Sequence, residues 1–375
     1  MVINIASFGG RTHMLDTARE LAKLGHKVRF YSYVPTKRAM QFGLPRECSN
    51  TLFWWALPFL CLFKLFGFRA WIQNLYFLVF DHFTGLYMKP CDVFIGQSPM
   101  HLFSLKMAKK RFGATTILER GNSHELEMIK HIQDNPIYKG KPVMPAFWVR
   151  RDLKGYDIAD YISVGSEHVA ESFTKHNIPR SKIFVNNYGA NLSFFHPTEL
   201  ATSDVYDVIF VGQWCYRKGC DLLIKAVKQL GVRLLHVGSI VDVEFPHDNN
   251  LFTHIDSVNE MDLLQYYQHA RISIMPSREE GLSLVQPQAL ACGLPLVCSK
   301  YSGGRDLKKY LKDPSFILEM DDLTKEDIKK NILLALEKAK LQHGVRNLLD
   351  DKGSLSFAAY GKRYDDFLKE IYNIG

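Results

Sequence analysis

The side chains best suited to chemistry lie in the stretch SREEGLSLVQPQALACGLPLV, residues 277–297. Glu280 precedes a predicted apolar helix and Gln288 lies about two turns into it, so both side chains can flank one ligand. A carboxylate at that place accepts hydrogen bonds from hydroxyl groups. Unpaired backbone amides at the start of a helix favour an anion. The amides predicted to do so belong to Gly281, Leu282, Ser283 and Leu284.

A second candidate site lies in FVGQWCYRKGCDLLIKA, residues 210–226. An apolar strand is predicted to end at Gly212. The loop after it begins with Gln213 and carries Arg217 and Lys218 to the start of a helix. Two adjacent cations beside a helix N-terminus suit a diphosphate. An Arg–Lys pair on a surface is usually only solvated. The position of Arg217 and Lys218 between a strand and a helix favours a binding role instead.

Two polar clusters in the first half of the chain also follow predicted strands. In SFGGRTH, the pair Gly9 and Gly10 lets the backbone approach a ligand closely. The pair is not part of a Gly-x-Gly-x-x-Gly motif, and no acid ends the next strand, which argues against a dinucleotide. In LERGNSHELE, Arg120 and His124 are candidate catalytic groups, with a plain helix N-cap as the alternative.

The chain around these stretches has the organisation of an α/β protein. Its 375 residues are too many for one ordinary core, and 47% hydrophobic with 23% charged residues is typical of a folded protein. Short aliphatic strands alternate with helical stretches, which predicts two doubly wound parallel-sheet domains facing a cleft. We expect domains at 1–200 and 201–355, and a C-terminal helix at 356–375 that crosses back to the first domain.

Charge and cysteine content bear on partners and compartment. The formal net charge of +8 suits an anionic partner, with a generally basic surface as the plain alternative. No nucleic-acid-binding module is recognisable, so we expect no nucleic-acid partner. The seven cysteines are scattered singly, which indicates neither a disulfide framework nor a zinc site and fits a reducing cytoplasm. The first residues are typical of a buried strand rather than a signal peptide.

The segment TLFWWALPFLCLFKLFGFRAWIQNLYFLVF, residues 51–80, departs from this pattern. It is dense in Trp, Phe and Leu. Pro58, Lys64 and Arg69 interrupt it, so no stretch reaches the ~18–20 apolar residues of a membrane-spanning helix. Cations among aromatic residues are typical of a helix that lies on lipid headgroups. We expect peripheral contact with the cytoplasmic face of a membrane, with a buried helix pair as the alternative.

Taken together, GQWCYRKG and PSREEGLSLVQPQALACGLPLVCS resemble the retaining glycosyltransferases of family 4, which have the GT-B fold. The stretches 9–35 and 164–197 are similar to the same family, and 36–90 matches least. The resemblance implies a UDP- or GDP-sugar donor in the C-terminal domain, with no cofactor and no metal. The acceptor is inferred only from the segment 51–80. If that segment contacts a membrane, we expect a glycan or lipid-linked acceptor, as in surface polysaccharide or glycolipid assembly. If it is buried, a soluble acceptor is equally expected.

The same resemblance implies roles for single residues. Lys218 and Arg217 correspond to diphosphate-binding cations, and Gln213 stands where the family usually has arginine. Glu280 corresponds to the first glutamate of Glu-x(7)-Glu, which contacts the sugar, and Gln288 replaces the second, which grips the ribose. Replacing Gln288 by Glu is therefore expected to tighten donor binding or leave it unchanged. Further donor contacts are implied for Gly9, Gly10, Gly212, Gly281, Leu282, Ser283, Leu284, Gly303 and Gly304, and sugar or acceptor contacts for His124 and Arg120.

Two other functions stay open on the sequence. A GT-B epimerase of nucleotide sugars would use the same donor site. A non-catalytic GT-B-like binding subunit would tolerate the amide at position 288. Transfer of the sugar would exclude the first function, and absence of donor binding would favour the second.

Overall fold

Two parallel β-sheets organise the chain. The computed structural model describes residues 1–7, 12–67, 69–139, 142–248 and 250–374. Gly9 and Gly10, two of the predicted donor contacts, lie outside the described residues. Helices cover both sheets, so the predicted pair of doubly wound domains is confirmed.

The first sheet has seven strands in the order β3-β2-β1-β4-β5-β6-β7. The pairings between these strands are parallel. The strands are β1 (Val2–Ala6), β2 (Lys27–Ser32), β3 (Ser49–Thr51), β4 (Val93–Gln97), β5 (Thr115–Arg120), β6 (Tyr161–Val164) and β7 (Ile183–Val185).

The second sheet has six strands in the order β10-β9-β8-β11-β12-β13, again with parallel pairings. Its central strands β8 and β11 lie side by side, so the loops that follow them meet at one edge. The strands are β8 (Tyr206–Val211), β9 (Leu234–Val237), β10 (Phe252–Ile255), β11 (Ala270–Met275), β12 (Leu296–Ser299) and β13 (Ile317–Met320).

The strands form where aliphatic runs can be buried on both faces. Ile3 and Ile5 of β1, and Ile272 and Ile274 of β11, are completely buried. The sequence does not predict the edge strands β3, β7 and β13. Each has three or four residues with partly exposed positions, so pairing with a neighbour rather than a hydrophobic run defines it.

Thirteen α-helices cover the sheets within the described residues. In the first domain they are α1 (His13–Lys23), α2 (Thr36–Gln41), α3 (Phe53–Phe66), α4 (Ala70–Tyr87), α5 (Leu102–Phe112), α6 (Glu125–Ile132), α7 (Ala146–Ile158) and α8 (Glu167–Thr174). The remaining helices are α9 (Cys220–Leu230), α10 (Leu263–Gln268), α11 (Val285–Ala291), α12 (Lys325–Lys340) and α13 (Phe357–Ile371).

The C-terminal helix α13 packs against α1 of the first domain. A Cβ atom on Gly361 would lie 2.4 Å from the Cβ of Glu20, so a residue without a side chain allows the close approach. Asp365 contacts His26 at 2.9 Å, and the Tyr372 hydroxyl donates to the Asp92 carbonyl at 2.7 Å. The helix therefore joins the two ends of the chain.

Helices α3 and α4 are buried on one side only. Ala56 and Tyr76 form a small core of their own with neighbouring aromatic residues. On the outer side, Trp54 is 76% exposed, Leu65 74% and Trp71 59%. The pair is thus buried on one side and exposed on the other, and contact with a membrane stays a prediction. Among the described residues, no helix has the length and apolarity needed to cross a membrane.

Candidate functional site

The two loops that follow β8 and β11 hold each other in place. A helical turn at Tyr216–Lys218 ends at Gly219, whose φ of 74° is in the left-handed region. A Cβ atom on Gly219 would lie 2.0 Å from the Pro276 carbonyl oxygen, so only glycine allows this approach. The backbone amide of Arg278 donates to the carbonyl of Arg217 at 2.8 Å. This packing brings Arg217 and Lys218, which precede Gly219, into contact with the glutamates that follow β11.

Buried Lys218 and Glu280 form one ionic cluster with half-buried Arg217 at the carboxyl edge of the second sheet. The Lys218 ammonium contacts Glu280 Oε2 directly, and Arg217 Nη1 lies 3.3 Å from the same oxygen. Lys218 is 6% exposed and Glu280 8%. Burial alone would raise the pKa of Glu280, but the charges of Lys218 and then Arg217 outweigh burial and hold that pKa below its usual value. The carboxylate therefore stays ionised between two cations.

Glu279, which the sequence does not single out, connects this cluster to the first domain. Its side chain is completely buried, and Oε1 accepts a hydrogen bond from the Ser123 amide at 3.0 Å. Arg217 Nη1 donates to the Glu279 backbone carbonyl at 2.9 Å and lies 3.6 Å from Glu279 Oε2. The available signal was the pair of adjacent glutamates at a strand end. The sequence pattern does not show that Glu280 contacts the cations whereas Glu279 contacts the first domain.

Gly281 and Gly303 lie where the two domains touch. The Gly281 carbonyl accepts from the Gly303 amide at 2.6 Å and from Ser166 Oγ at 3.0 Å. A Cβ atom on Gly281 would lie 1.8 Å from the carbonyl oxygen of Gly121 in the first domain. On Gly304 it would lie 2.8 Å from Gln286 Nε2. These glycines permit close backbone packing, and their predicted contacts with a donor stay a prediction.

The helix after Gly281 starts later than the sequence predicts. Helix α11 begins at Val285, so the amides of Gly281, Leu282 and Ser283 belong to a loop and only Leu284 occupies the cap position. The hydrogen bonds to the Gly281 carbonyl hold that residue against the neighbouring loops and delay the helix. Leu282 is buried, and Ser283 and Leu284 are half-buried.

The loop after β8 begins with Gly212 and Gln213. Gly212 has a φ of 132°, and its carbonyl lies 2.1 Å from where a Cβ atom on Gly238 would stand. The tight contact fixes the ends of β8 and β9 together. Gln213 is exposed. Cys215, the residue directly before the turn Tyr216–Lys218, is buried.

Gln288 lies one turn into α11 and faces the second domain's Glu260. Its Nε2 donates to Glu260 Oε1 at 3.2 Å, and the Gln288 side chain is almost completely buried. Its Oε1 atom is buried without a hydrogen-bond partner in the part of the chain that the structure describes. Gln288 stands where the resembled family has a glutamate, and in this protein the carboxylate of Glu260 lies beside it.

Arg120 and His124 pack inside the first domain. Arg120 makes ion pairs with Glu125 at 2.7 Å and Asp152 at 2.9 Å. His124 caps α6 and stacks on His176 with ring centroids 4.1 Å apart. Burial, followed by the charges of His176 and Arg120, lowers the pKa of His124 to about 4. Both residues stabilise the loop 120–125. These contacts lie within the first domain, and the catalytic role of both residues stays a prediction.

Three other residues of the first domain approach the second domain instead. His13 Nε2 lies 3.0 Å from Glu119 Oε1, and the Tyr188 hydroxyl donates to the same oxygen at 3.1 Å. The His13 and Tyr188 rings stack at 4.3 Å. Gly165 lies between Tyr188 and Leu282 of the second domain. A Cβ atom on Gly165 would stand 3.1 Å from Tyr188 and 3.3 Å from Leu282. His13 follows the predicted strand β1 closely in the sequence, and that position was the available signal.

The candidate site shows no cluster of metal ligands. Across the described ranges, no group of three or more His, Cys, Asp or Glu side chains is placed to hold a metal ion. The charged groups that converge at the edge of the second sheet are the cation pair and the two glutamates. The arrangement can bind an anion with several acceptor oxygens and a hydroxyl-bearing group beside it.

Two Rossmann-like domains that face each other through these loops define the GT-B fold. Solved structures with this fold align with nearly the whole chain. The Anabaena protein HepE in complex with UDP-glucose aligns with a TM-score of 0.66 and 12% identity over 99% of this chain and 100% of that one. The UDP-GlcNAc 2-epimerase of Methanocaldococcus jannaschii aligns with a TM-score of 0.55 and 13% identity over 99% and 100%. At these identities the likeness concerns the fold alone.

Sequence comparison is more specific for the second domain. Residues 206–337 match the family model described as Glycosyl transferases group 1. The D-inositol 3-phosphate glycosyltransferase of Mycobacteroides abscessus is 26% identical over 219 residues, which is 52% of this chain and 48% of that protein. The chain spans about half the length of the curated relatives it matches. The second domain is thus similar to glycosyltransferases, and it contains the ionic cluster.

Proposed function

We propose that the chain is a retaining glycosyltransferase that moves a sugar from a UDP- or GDP-sugar to a glycan or lipid-linked acceptor. The ionic cluster of Lys218, Arg217 and Glu280, inside the segment that matches group 1 glycosyl transferases, carries the proposal. Without ligand, one carboxylate accepts hydrogen bonds from both cations. A diphosphate has more charge and more acceptor oxygens, so it can replace that carboxylate as their partner.

In the proposed reaction, catalysis is mainly electrostatic. Lys218 and Arg217 bind the diphosphate and stabilise the charge that develops on it as the bond to the sugar breaks. The acceptor hydroxyl oxygen forms the new bond to the same carbon, and its proton passes to the departing phosphate oxygen. Glu280 accepts hydrogen bonds from the sugar hydroxyls and orients the ring. Because two side chains neutralise the leaving group, we propose a metal-independent reaction without a cofactor.

The first domain supplies the acceptor side in this proposal. His13 is held by Glu119 and lies beside the contact between the domains, so it can reach an acceptor hydroxyl or the sugar. The exposed aromatic side of α3 and α4 supports an acceptor that is linked to a lipid. All seven cysteines are free thiols, which supports a cytoplasmic enzyme that contacts the membrane face peripherally.

Calorimetric titration with UDP, GDP, ADP and CMP, without added metal, tests the donor site. We expect one nucleoside diphosphate to bind to the wild type, and Lys218→Ala to abolish that binding. Lys225→Ala, which removes an exposed lysine from α9, is the matched control and should bind like the wild type. If none of the nucleotides binds, the chain is a non-catalytic GT-B-like subunit instead.

The epimerase of the same fold supplies the second candidate function. A nucleotide-sugar epimerase would bind the donor in the same place and return a nucleotide sugar. Incubation with the sugar form of the nucleotide that binds separates the two activities. Release of free nucleoside diphosphate with a glycosylated product supports the proposal, and an epimerised nucleotide sugar contradicts it. The anomeric configuration of the product, read by NMR, tests retention.

A further inference from the structure

The first turn of helix α8 belongs to the contact between the two domains. Ser166, which caps the helix, donates through Oγ to the carbonyl of Gly281 in the second domain at 3.0 Å. The backbone amide of Glu167 donates to Asp306 Oδ2, also in the second domain, at 2.6 Å. These two hydrogen bonds hold the residue after Glu167 beside the second domain.

That residue is His168, which is half-buried. Its Nε2 atom is buried without a hydrogen-bond partner in the part of the chain that the structure describes. About one turn further along α8, Glu171 pairs with Arg305 of the second domain at 2.9 Å. Burial, followed by the charges of Arg305, His131 and Lys175, lowers the pKa of His168 to about 4. His168 is therefore neutral near pH 7 while the domains are in contact.

His131 of helix α6 makes a second contact of this kind. Its ring packs on that of Tyr301 in the second domain, with centroids 5.0 Å apart. Burial lowers the pKa of His131, although the charges of Glu127 and Glu279 act in the opposite direction. Tyr301 and Arg305 both follow strand β12, so imidazole rings from two helices of the first domain face one segment of the second.

We propose that His131 and His168 make the contact between the domains sensitive to pH, so that the domains close with neutral imidazoles and separate when both rings are protonated. A second proton on His168 would add a positive charge beside Arg305, in a position that water reaches poorly. The same charge would lie in the first turn of α8, where the helix dipole disfavours cations. Once the domains separate, water can solvate both rings. The inference does not depend on glycosyl transfer, because it concerns only the contact between the domains.

The direction of the effect follows from the lowered pKa values. A histidine that is harder to protonate in the closed form stabilises that form above its ordinary pKa of about 6.5, and this stabilisation is lost as the pH falls through the lower value. For His168 alone, lowering the pH from 7.5 to 5.5 should shift the equilibrium about tenfold toward separated domains. The other charged groups that face the two rings are Arg305 and Glu279 of the second domain, Glu127 and Lys130 of α6, and Lys175 at the end of α8.

Asp306 is a further titratable group at this contact. Burial raises the pKa of its carboxyl group, so acid would also weaken the hydrogen bond that it accepts from the Glu167 amide. Substitutions of the two histidines leave Asp306 in place. Those substitutions therefore separate the effect of the imidazoles from the effect of this carboxylate.

The test measures the radius of gyration of the full chain by small-angle X-ray scattering at pH 7.5 and pH 5.5, without ligand. We expect the wild type to have a larger radius at pH 5.5. The double variant His131→Gln with His168→Gln should have the same radius at both pH values, since glutamine stays neutral. His343→Gln, at an exposed histidine of the second domain, is the matched control and should expand like the wild type. Near-ultraviolet circular dichroism checks that each protein is folded at both pH values.

Gly281→Ala supplies an independent check, because its Cβ atom would stand 1.8 Å from the Gly121 carbonyl oxygen and keep the domains apart at either pH. Its radius of gyration should therefore be large and independent of pH. A wild-type radius that is the same at both pH values overturns the proposal. Expansion that persists in the double histidine variant also overturns it and assigns the effect to another group, such as Asp306. Neither result bears on the proposed function, because no nucleotide takes part.

Discussion

At the scale of single residues, the ionic cluster explains how cations can be kept in a buried position. Lys218 and Glu280 are each less than one-tenth exposed, so either one alone would be a buried, unpaired charge. Their contact, supported by Arg217 at 3.3 Å, satisfies both charges before a ligand arrives. In the proposed function, the side chains are thus already in position for the diphosphate, which reduces the ordering that binding requires.

The pH dependence of stability tests this cluster. The pKa of Glu280 is lowered in the folded state, so the carboxylate stabilises the fold above its unfolded pKa of about 4.3, and that stabilisation is lost as the pH falls through the lower folded value. We expect Glu280→Gln to reduce the free energy of unfolding by about 3 kcal/mol at pH 7. The difference from the wild type should shrink as the pH is lowered from about 5 to about 3. Urea denaturation at a series of pH values measures it, and a difference that does not vary with pH would contradict the ionised pair.

At the scale of elements, helices α3 and α4 carry an exposed aromatic surface next to two cations. No acidic residue occurs between Glu47 and Asp81, whereas Lys64 and Arg69 lie within that stretch. The core of the helix pair is formed by residues such as Tyr76, which packs against Phe59 at 5.5 Å between ring centroids. The inner side stabilises the pair, and the outer side is suited to an anionic lipid surface.

Substitutions on the outer side separate lipid contact from stability. Trp54→Ser and Trp71→Ser should reduce sedimentation with vesicles that contain anionic lipid, while the melting temperature stays within about 2 °C because both side chains are exposed. Leu341→Ser, at an equally exposed site of the second domain, is the control and should sediment like the wild type. Unchanged vesicle binding of the double Trp variant would rule out this surface. Phe59 is unsuitable for the test since it belongs to the inner core.

At the scale of the whole molecule, the two domains meet through backbone amides that donate to carboxylates and through ion pairs. The Ser123 amide reaches Glu279, and the Glu167 amide donates to Asp306 Oδ2 at 2.6 Å. Arg305 pairs with Glu171 at 2.9 Å. Contacts of this kind form only at one relative position of the domains, so residues of both domains can meet the proposed donor and the proposed acceptor together.

Gly281→Ala tests whether this closed arrangement is needed. The added Cβ atom would stand 1.8 Å from the Gly121 carbonyl oxygen and keep the domains apart. We expect sugar transfer to slow by about 100-fold, because the reacting groups are misplaced, while nucleotide affinity falls much less. Small-angle X-ray scattering should give a larger radius of gyration for the variant. Gly121→Ala, whose Cβ has 3.7 Å of room, is the control, and equal activity of both variants would show that closure is unnecessary.

The sequence by itself was sufficient for the class of fold and for part of the site, but not for the edge strands. Alternating aliphatic strands and helices predict two parallel sheets, since parallel strands are buried on both faces and leave a strong pattern. The same pattern puts Lys218 and Glu280 at strand ends, and the parallel pairing of β8 and β11 brings those ends together. The rules for connecting parallel strands allow few strand orders. Lys218 and Glu280, although distant in the sequence, could therefore be expected at the same edge of the sheet.

Only the tertiary structure decided which neighbours each polar residue has. Glu279 turns to Ser123 of the other domain, Glu260 meets Gln288 from another loop, and His124 packs on His176 instead of reaching the cluster. These contacts join residues far apart in the chain through loops whose paths depend on packing, and a local pattern of residue types carries no record of them. The sequence therefore determines which reactive side chains follow the strands. The packing of the two domains and their loops determines which residues contact and orient those side chains.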